Sequence, residues 1–205
     1  LAIAPKTATT TIGLGTLATG DLHLNDAELG RLTNGFSSIT FGSATATGKI
    51  TAAEYTYLDN IKLLNYGASS GGIEFIAPVS VGGNNLTLYT TGSVTQGSGA
   101  PITAAGLELL GTAGVYTLTN TSNAITTLAG STGTVSFLEN SGYAIGTVGS
   151  TVGLTTSGNT TLSSTGTVTQ SAAIAAAGLE LLGTGGIYTL TNTSNAITTL
   201  AGNTG

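Results

Sequence analysis

Glu54 and Asp59 stand five residues apart between Lys49 and Lys62, and here the chain comes closest to a reaction centre. Two carboxyl groups about 5–9.5 Å apart can divide acid, base and nucleophile work on a glycosidic bond, and a basic neighbour completes such a site. The other carboxylates suit that chemistry less well. Glu108 and Glu180 occupy equivalent places in a duplicated segment, which sets them about four coils and roughly 19 Å apart if strands stack at the usual spacing. Glu139 has Thr119 as its counterpart one period earlier. Structural or solubilising roles are therefore favoured over catalysis for all of them.

His23 is the sole histidine and sits beside Asp21 and Asp26. The alternating run Leu22-His23-Leu24 turns its leucines to a core and His23 to solvent. A triad or a zinc site needs more His or Cys than one histidine and no cysteine provide. Calcium-built solenoids use a Gly-Gly-x-Gly-x-Asp repeat; here Gly71-Gly72 leads into Ile73-Glu74 and Gly82-Gly83 into Asn84-Asn85. No phosphate-cradling glycine motif is present, so no cofactor is expected. Thr-rich runs such as 9–11 do not extend into an outward Thr ladder, which argues against ice binding. Asn85, Asn120, Asn159 and Asn192 begin Asn-x-Ser/Thr sequons, which so Ser/Thr-rich a chain produces by chance.

The elements that would carry these residues are set by repetition. Residues 105–130 return at 177–202 with two changes, Ala113 to Gly185 and Val115 to Ile187, and self-similarity at a fixed interval marks an array. NLTLYTTGSVTQ at 85–96 likewise returns as NTTLSSTGTVTQ at 159–170. Two residues are lost before the next match, a change expected at an exposed corner. Only 6% of residues are charged and 32 of 205 are glycine, against roughly a quarter charged in ordinary soluble domains. Every Lys and Arg (Lys6, Arg31, Lys49, Lys62) lies in the first third, and the net charge is −5. That excludes the basic footprint of a nucleic-acid binder and argues against an anionic membrane surface as a partner. No apolar run of about 18 residues suggests insertion into a bilayer. With Gly205 falling inside a repeat, the sequence reads as a segment of something longer.

Within the unit a shorter period of about 20 residues, the length of one solenoid coil, is visible. At that interval Val115 meets Val135, Leu118 meets Leu138, Asn120 meets Asn140, Ile125 meets Ile145 and Leu128 meets Val148. Asn192 and Ile197 repeat Asn120 and Ile125 in the second copy. Short strands split by Gly, Asn and Ser at this period predict an all-β parallel β-solenoid of roughly ten coils. Leucines would stack as rungs of core and asparagines as an amide ladder at a corner. Ile125 and Leu128, three apart, imply a bend. Residues 1–70 are read as divergent coils and 71–205 as regular ones, continuous in one solenoid. Residues 26–32 have helical propensity and are expected to form one turn outside the coil.

LHLNDAELGRLTNGFSSITFG (22–42), TLTNTSNAITTLAG, NTTLSSTGTVTQ and GLELLG, in this order and spacing, resemble the repeats of filamentous haemagglutinin-type exoproteins. The resemblance covers about residues 11–205. It implies a right-handed parallel β-helix, a long fibre at the bacterial surface or outside the cell, and a role in attachment, aggregation or biofilm matrix. It also implies two-partner secretion through an outer-membrane β-barrel. A cell-surface or glycan ligand and self-association into fibres are the partners expected. The alternative is a carbohydrate-active or carbohydrate-binding β-helix, with Tyr55, Tyr57, Tyr66 and Tyr89 as stacking candidates, although packing on neighbouring coils is the simpler role for them.

Overall fold

The computed structural model describes residues 1–67 and 71–205; positions 68–70, at the end of the divergent segment, lie outside the described residues. The chain is a parallel β-solenoid, and one sheet of 19 strands includes strands from Ala2 to Asn203. Three files of strands climb the molecule. The first runs through Ala2–Ile3, Ile39–Gly42, Ile61–Asn65, then 86–90, 107–110, 128–132 and Leu154–Thr156. A second begins at Leu22–Leu24 and passes Ile12–Leu14, Ile50–Ala52, Gly72–Phe75, Ser93–Gln96, 115–118, 134–138 and Asn159–Ser163. The third includes Tyr55–Thr56, Gly142–Ile145, Thr167–Gln170 and Ile187–Tyr188.

There are about eight coils rather than ten, because most coils are longer than the sequence period suggests. The steps from Ile39 to its partner Ile61, from Leu63 to Leu88 and from Gly130 to Leu154 all exceed that period, and the step from Ala2 to Thr40 is longer still. At the strand spacing of about 4.8 Å the rod is about 40 Å long.

Alternation decides the core. In Ile61–Asn65 the buried residues are Ile61, Leu63 and Asn65, and Lys62 and Leu64 are half-buried. Leu14, Leu63, Leu88, Leu109, Leu128 and Leu154 are almost wholly removed from water, each worth about 1.5–3 kcal/mol. Tight corners need glycine: Gly111 has φ +116°, and a Cβ there would collide with the Thr90 carbonyl oxygen. Its repeat equivalent Gly183 has φ +114° and meets Ser164 in the same way.

The helix Asp26–Leu29 forms within the stretch expected to be helical. Asn25 accepts the Glu28 N–H while Glu28 accepts the Asn25 N–H, a reciprocal capping box. It is not wholly outside the solenoid, because Leu29 is buried in the main core cluster.

The duplicated unit is not a whole number of coils. GLELL of the first copy lies on the first file, paired with 85–89 below and 127–131 above. GLELL of the second copy lies on the second file, paired with Asn159–Ser163 and 199–203. Glu180 thus sits three coils above Glu108 and one face round, not four coils directly above it.

Candidate functional site

The residues expected to form ladders are all in strands or corners, but several have other neighbours. Leu118 pairs with Phe137, not Leu138, and Tyr116 rather than Val115 pairs with Val135. The true interval is one residue shorter than the apparent one, and a slip of one exchanges faces. Phe137 is therefore buried while Leu138 is half-exposed. Adjacent apolar residues at 137 and 138 make the two registers equally acceptable in the sequence.

The same slip sets Glu139, not Asn140, above Asn120. Asn120 accepts the Ser122 N–H through Oδ1 at 2.9 Å. Glu139 repeats that contact, accepting Ser141 N–H at 3.0 Å and Gly142 N–H at 2.7 Å. Its carboxylate is fully buried and holds the corner that an amide holds one coil below. Asn140 donates to the Thr121 carbonyl at 3.4 Å from a more exposed position.

Ile125 pairs with Ala104, and Ile197 repeats this with Ala176. Ile145 stacks on Leu128, a shorter step than the sequence period, and not on Ile125. The coil then leaves the solenoid: Thr147–Val148 and Thr151–Val152 pair antiparallel as a small hairpin, and Leu154 rejoins above Gly130. Gly146 and Gly153 close its neck with a 2.8 Å backbone hydrogen bond, and Gly149, at φ +59°, opens the turn. Val148 consequently belongs to this hairpin, not to a rung with Leu128.

The amide contacts that do recur are not the ones found by aligning Asn with Asn. Gln96 Nε2 donates to Asn123 Oδ1 at 2.6 Å and Asn123 Nδ2 donates to Gln96 Oε1 at 3.2 Å. The same pair accepts the Asn120 and Ile102 N–H groups at 3.0 and 2.9 Å. Gln170 and Asn195 make the reciprocal pair in the second copy and accept from Asn192 and Ile174. The signal was present: Gln ends both VTQ strands, and Asn123 recurs as Asn195. Tyr116 adds a second clasp. Its hydroxyl lies 2.8 Å from the Leu88 carbonyl and 2.5 Å from that of Leu110, and Tyr188 repeats this with Leu162 and Leu182 at 2.9 and 2.7 Å. Burial pushes the Tyr116 phenol well above its usual range, against the lowering effect of the Leu110 N–H that donates to its oxygen.

The two carboxylates of the enzymatic reading have different surroundings. Glu54 is exposed beside a groove of about 370 Å³ whose lining includes Asp26, Tyr55, Pro78 and Ser80, and not Asp59. Asp59 is buried and accepts the Gly35 N–H at 3.1 Å. Lys49 pairs with Glu74 on the surface, and Lys62 lies 5.7 Å from the centroid of the Tyr89 ring. His23 is exposed and its Nε2 lies 3.0 Å from the Gly15 carbonyl oxygen. Of the tyrosines, Tyr57 is buried against Tyr55 and Phe41. Tyr66 and Tyr89 stack at 4.7 Å and 20°. Among the described residues no three metal-ligating side chains gather, and no helix is long and apolar enough to cross a membrane.

No protein-family model, curated protein or solved structure matches the chain.

Proposed function

We propose that this chain is a structural and adhesive shaft segment of a large secreted bacterial fibre, serving attachment, aggregation or biofilm matrix. The observation that supports this reading is continuity: a single sheet links the first coil to the last. Its backbone hydrogen bonds run along the axis, so tension on the rod is shared among the files paired at each coil boundary. Duplicated clasps at Gln96–Asn123 and Gln170–Asn195 tie neighbouring coils by side chains as well. A chain of this kind folds by adding coils to an existing end, which suits export as an extended polypeptide through an outer-membrane β-barrel partner and an extracellular location. Self-association into fibres, or contact with a cell-surface glycan, is then the work of its lateral faces.

The test is mechanical and adhesive together. Purified rod, stretched singly between handles, should resist force as a stiff element, and rod-coated beads should bind cells or glycans. Low-force unravelling together with no adhesion would overturn the proposal. A second reading, carbohydrate binding, is favoured by the stacked Tyr66 and Tyr89 with Lys62 beside them, since stacked aromatic faces suit sugar rings. Under that reading Tyr66→Ala with Tyr89→Ala abolishes polysaccharide binding; under the shaft reading it does not.

A further inference from the structure

The loop between the helix Asp26–Leu29 and the strand Ile39–Gly42 carries the chain's one Asn-Gly step, Asn34-Gly35. A side-chain amide followed by glycine is the least hindered place for a backbone nitrogen to attack the side chain before it, since no Cβ stands in the way. Asn34 and Gly35 are both exposed. The space at Gly35 is open, and a Cβ built there would have no neighbour within 4 Å.

What sets this step apart is the group that holds it. The Gly35 N–H, whose hydrogen ring closure must remove, donates to Asp59 Oδ1 at 3.1 Å, within the reach of a general base. Asp59 comes from the next coil, just before the strand Ile61–Asn65, and is 4% exposed. Its second oxygen, Oδ2, is buried and meets no donor among the described residues. This carboxylate is therefore only partly compensated by hydrogen bonds and has acceptor capacity in reserve. Asn140-Ser141 offers the contrast. There too a buried carboxylate, Glu139, accepts the following N–H, at 3.0 Å. But Ser141 brings a side chain to the reacting nitrogen, and its hydroxyl donates to the same Glu139 oxygen. The Gly142 N–H takes the other oxygen, and Asn140 Nδ2 is held by the Thr121 carbonyl.

We propose that Asn34 is a self-modification site, at which Asp59 is the general base for deamidation. Asp59 Oδ1 takes the proton from the Gly35 nitrogen as that nitrogen bonds to Asn34 Cγ. The Cγ–Nδ2 bond then breaks, and the proton held by Asp59 leaves with Nδ2 as ammonia, which returns Asp59 to its ionised form. Water opens the resulting succinimide at either carbonyl, giving aspartate or isoaspartate at position 34 with no change in oxidation state. Either product places a second carboxylate near Asp59, where like charges repel. Isoaspartate also lengthens the backbone where Asn60 Nδ2 ties the loop to the next coil through the Ser37 carbonyl at 2.8 Å. The corner is thereby altered once and in one direction, so aged chains differ from new ones in charge and in loop path. This goes beyond the shaft reading and does not depend on it.

The test is to incubate the purified chain in warm neutral buffer made with oxygen-labelled water. Peptides covering Asn34 and Asn140 are then followed by mass spectrometry for conversion of amide to acid. Asn34 should convert about tenfold or more faster in the folded chain than in the same chain held in denaturant. Its product should carry oxygen from water, and Asn140 should stay intact over the same period. Asp59→Asn keeps an oxygen for the Gly35 N–H but removes the base, and should bring the folded rate down to the denatured rate or below it. A folded chain that converts no faster than the denatured one would overturn the proposal, as would a folded Asp59→Asn chain converting at the original rate. The first comparison needs no variant, so the test remains decisive even where Asp59→Asn does not fold.

Discussion

The two copies of GLELLGT share sequence and the Thr–Glu and Tyr–carbonyl hydrogen bonds, yet their surroundings differ. In the first copy Leu109 is wholly buried, Glu108 nearly so, and Tyr116 is 1% exposed. In the second, Leu181 and Tyr188 are half-buried and Glu180 is exposed. Both copies pair with a strand on each side, but the first carries further coils and the hairpin at 147–152, while the second has the single strand Ala196–Asn203 above it. Local sequence therefore writes the contacts, but the energy each contact contributes depends on what is stacked over it.

The sharpest way to break this comparison is a paired truncation of the same leucine. Leu109→Ala should cost about 3–5 kcal/mol and Leu181→Ala about 1–2 kcal/mol, measured by denaturant unfolding; equal losses would contradict the asymmetry. Next in size is the amide clasp. Asn123→Ala strands the Ile102 N–H and the Gln96 side chain in a buried corner and should cost about 2–3 kcal/mol, with a smaller loss for Asn195→Ala.

Tyrosine contacts come third. Tyr116→Phe should cost about 1–2 kcal/mol and Tyr188→Phe less. The pH dependence follows from the same burial. Tyr57, Tyr116 and Tyr143 have phenols raised above 10.0, principally by desolvation. Above that value the unfolded chain loses protons that the folded chain retains, so stability is full below about pH 10 and falls as pH rises further. Equilibrium unfolding from pH 8 to 11.5 should show that decline, weaker in Tyr116→Phe. Smallest is Tyr143→Phe: its buried hydroxyl meets no partner among the described residues, so removal should leave stability unchanged or slightly higher.

Much of the architecture was legible because apolar residues, Asn and Gly recur at a nearly constant interval. Leu118, Ile125 and Leu128 could be assigned to the core from that interval alone, and the bend between the last two agrees with the register break on the neighbouring strand at Ala104 and Gly106. The exact partners were not legible, since neighbouring coils differ in length. Glu139 is hard to recognise as a corner residue because a buried carboxylate can accept the N–H groups that an asparagine accepts. The hairpin was hidden by compensation: a short step from Leu128 to Ile145 is followed by a long one from Gly130 to Leu154, and the two average to the expected period.

The fold is defined by which residues are vertical neighbours, and a chain without cysteine permits a clean test. Thr117 and Ser136 are outward-facing register partners, close enough for a disulfide between adjacent strands. Thr117→Cys with Ser136→Cys should oxidise rapidly in the folded protein, and Val115→Cys with Val135→Cys should not. Rapid closure of the second pair and failure of the first would contradict the stacking on which the fold and the clasps depend.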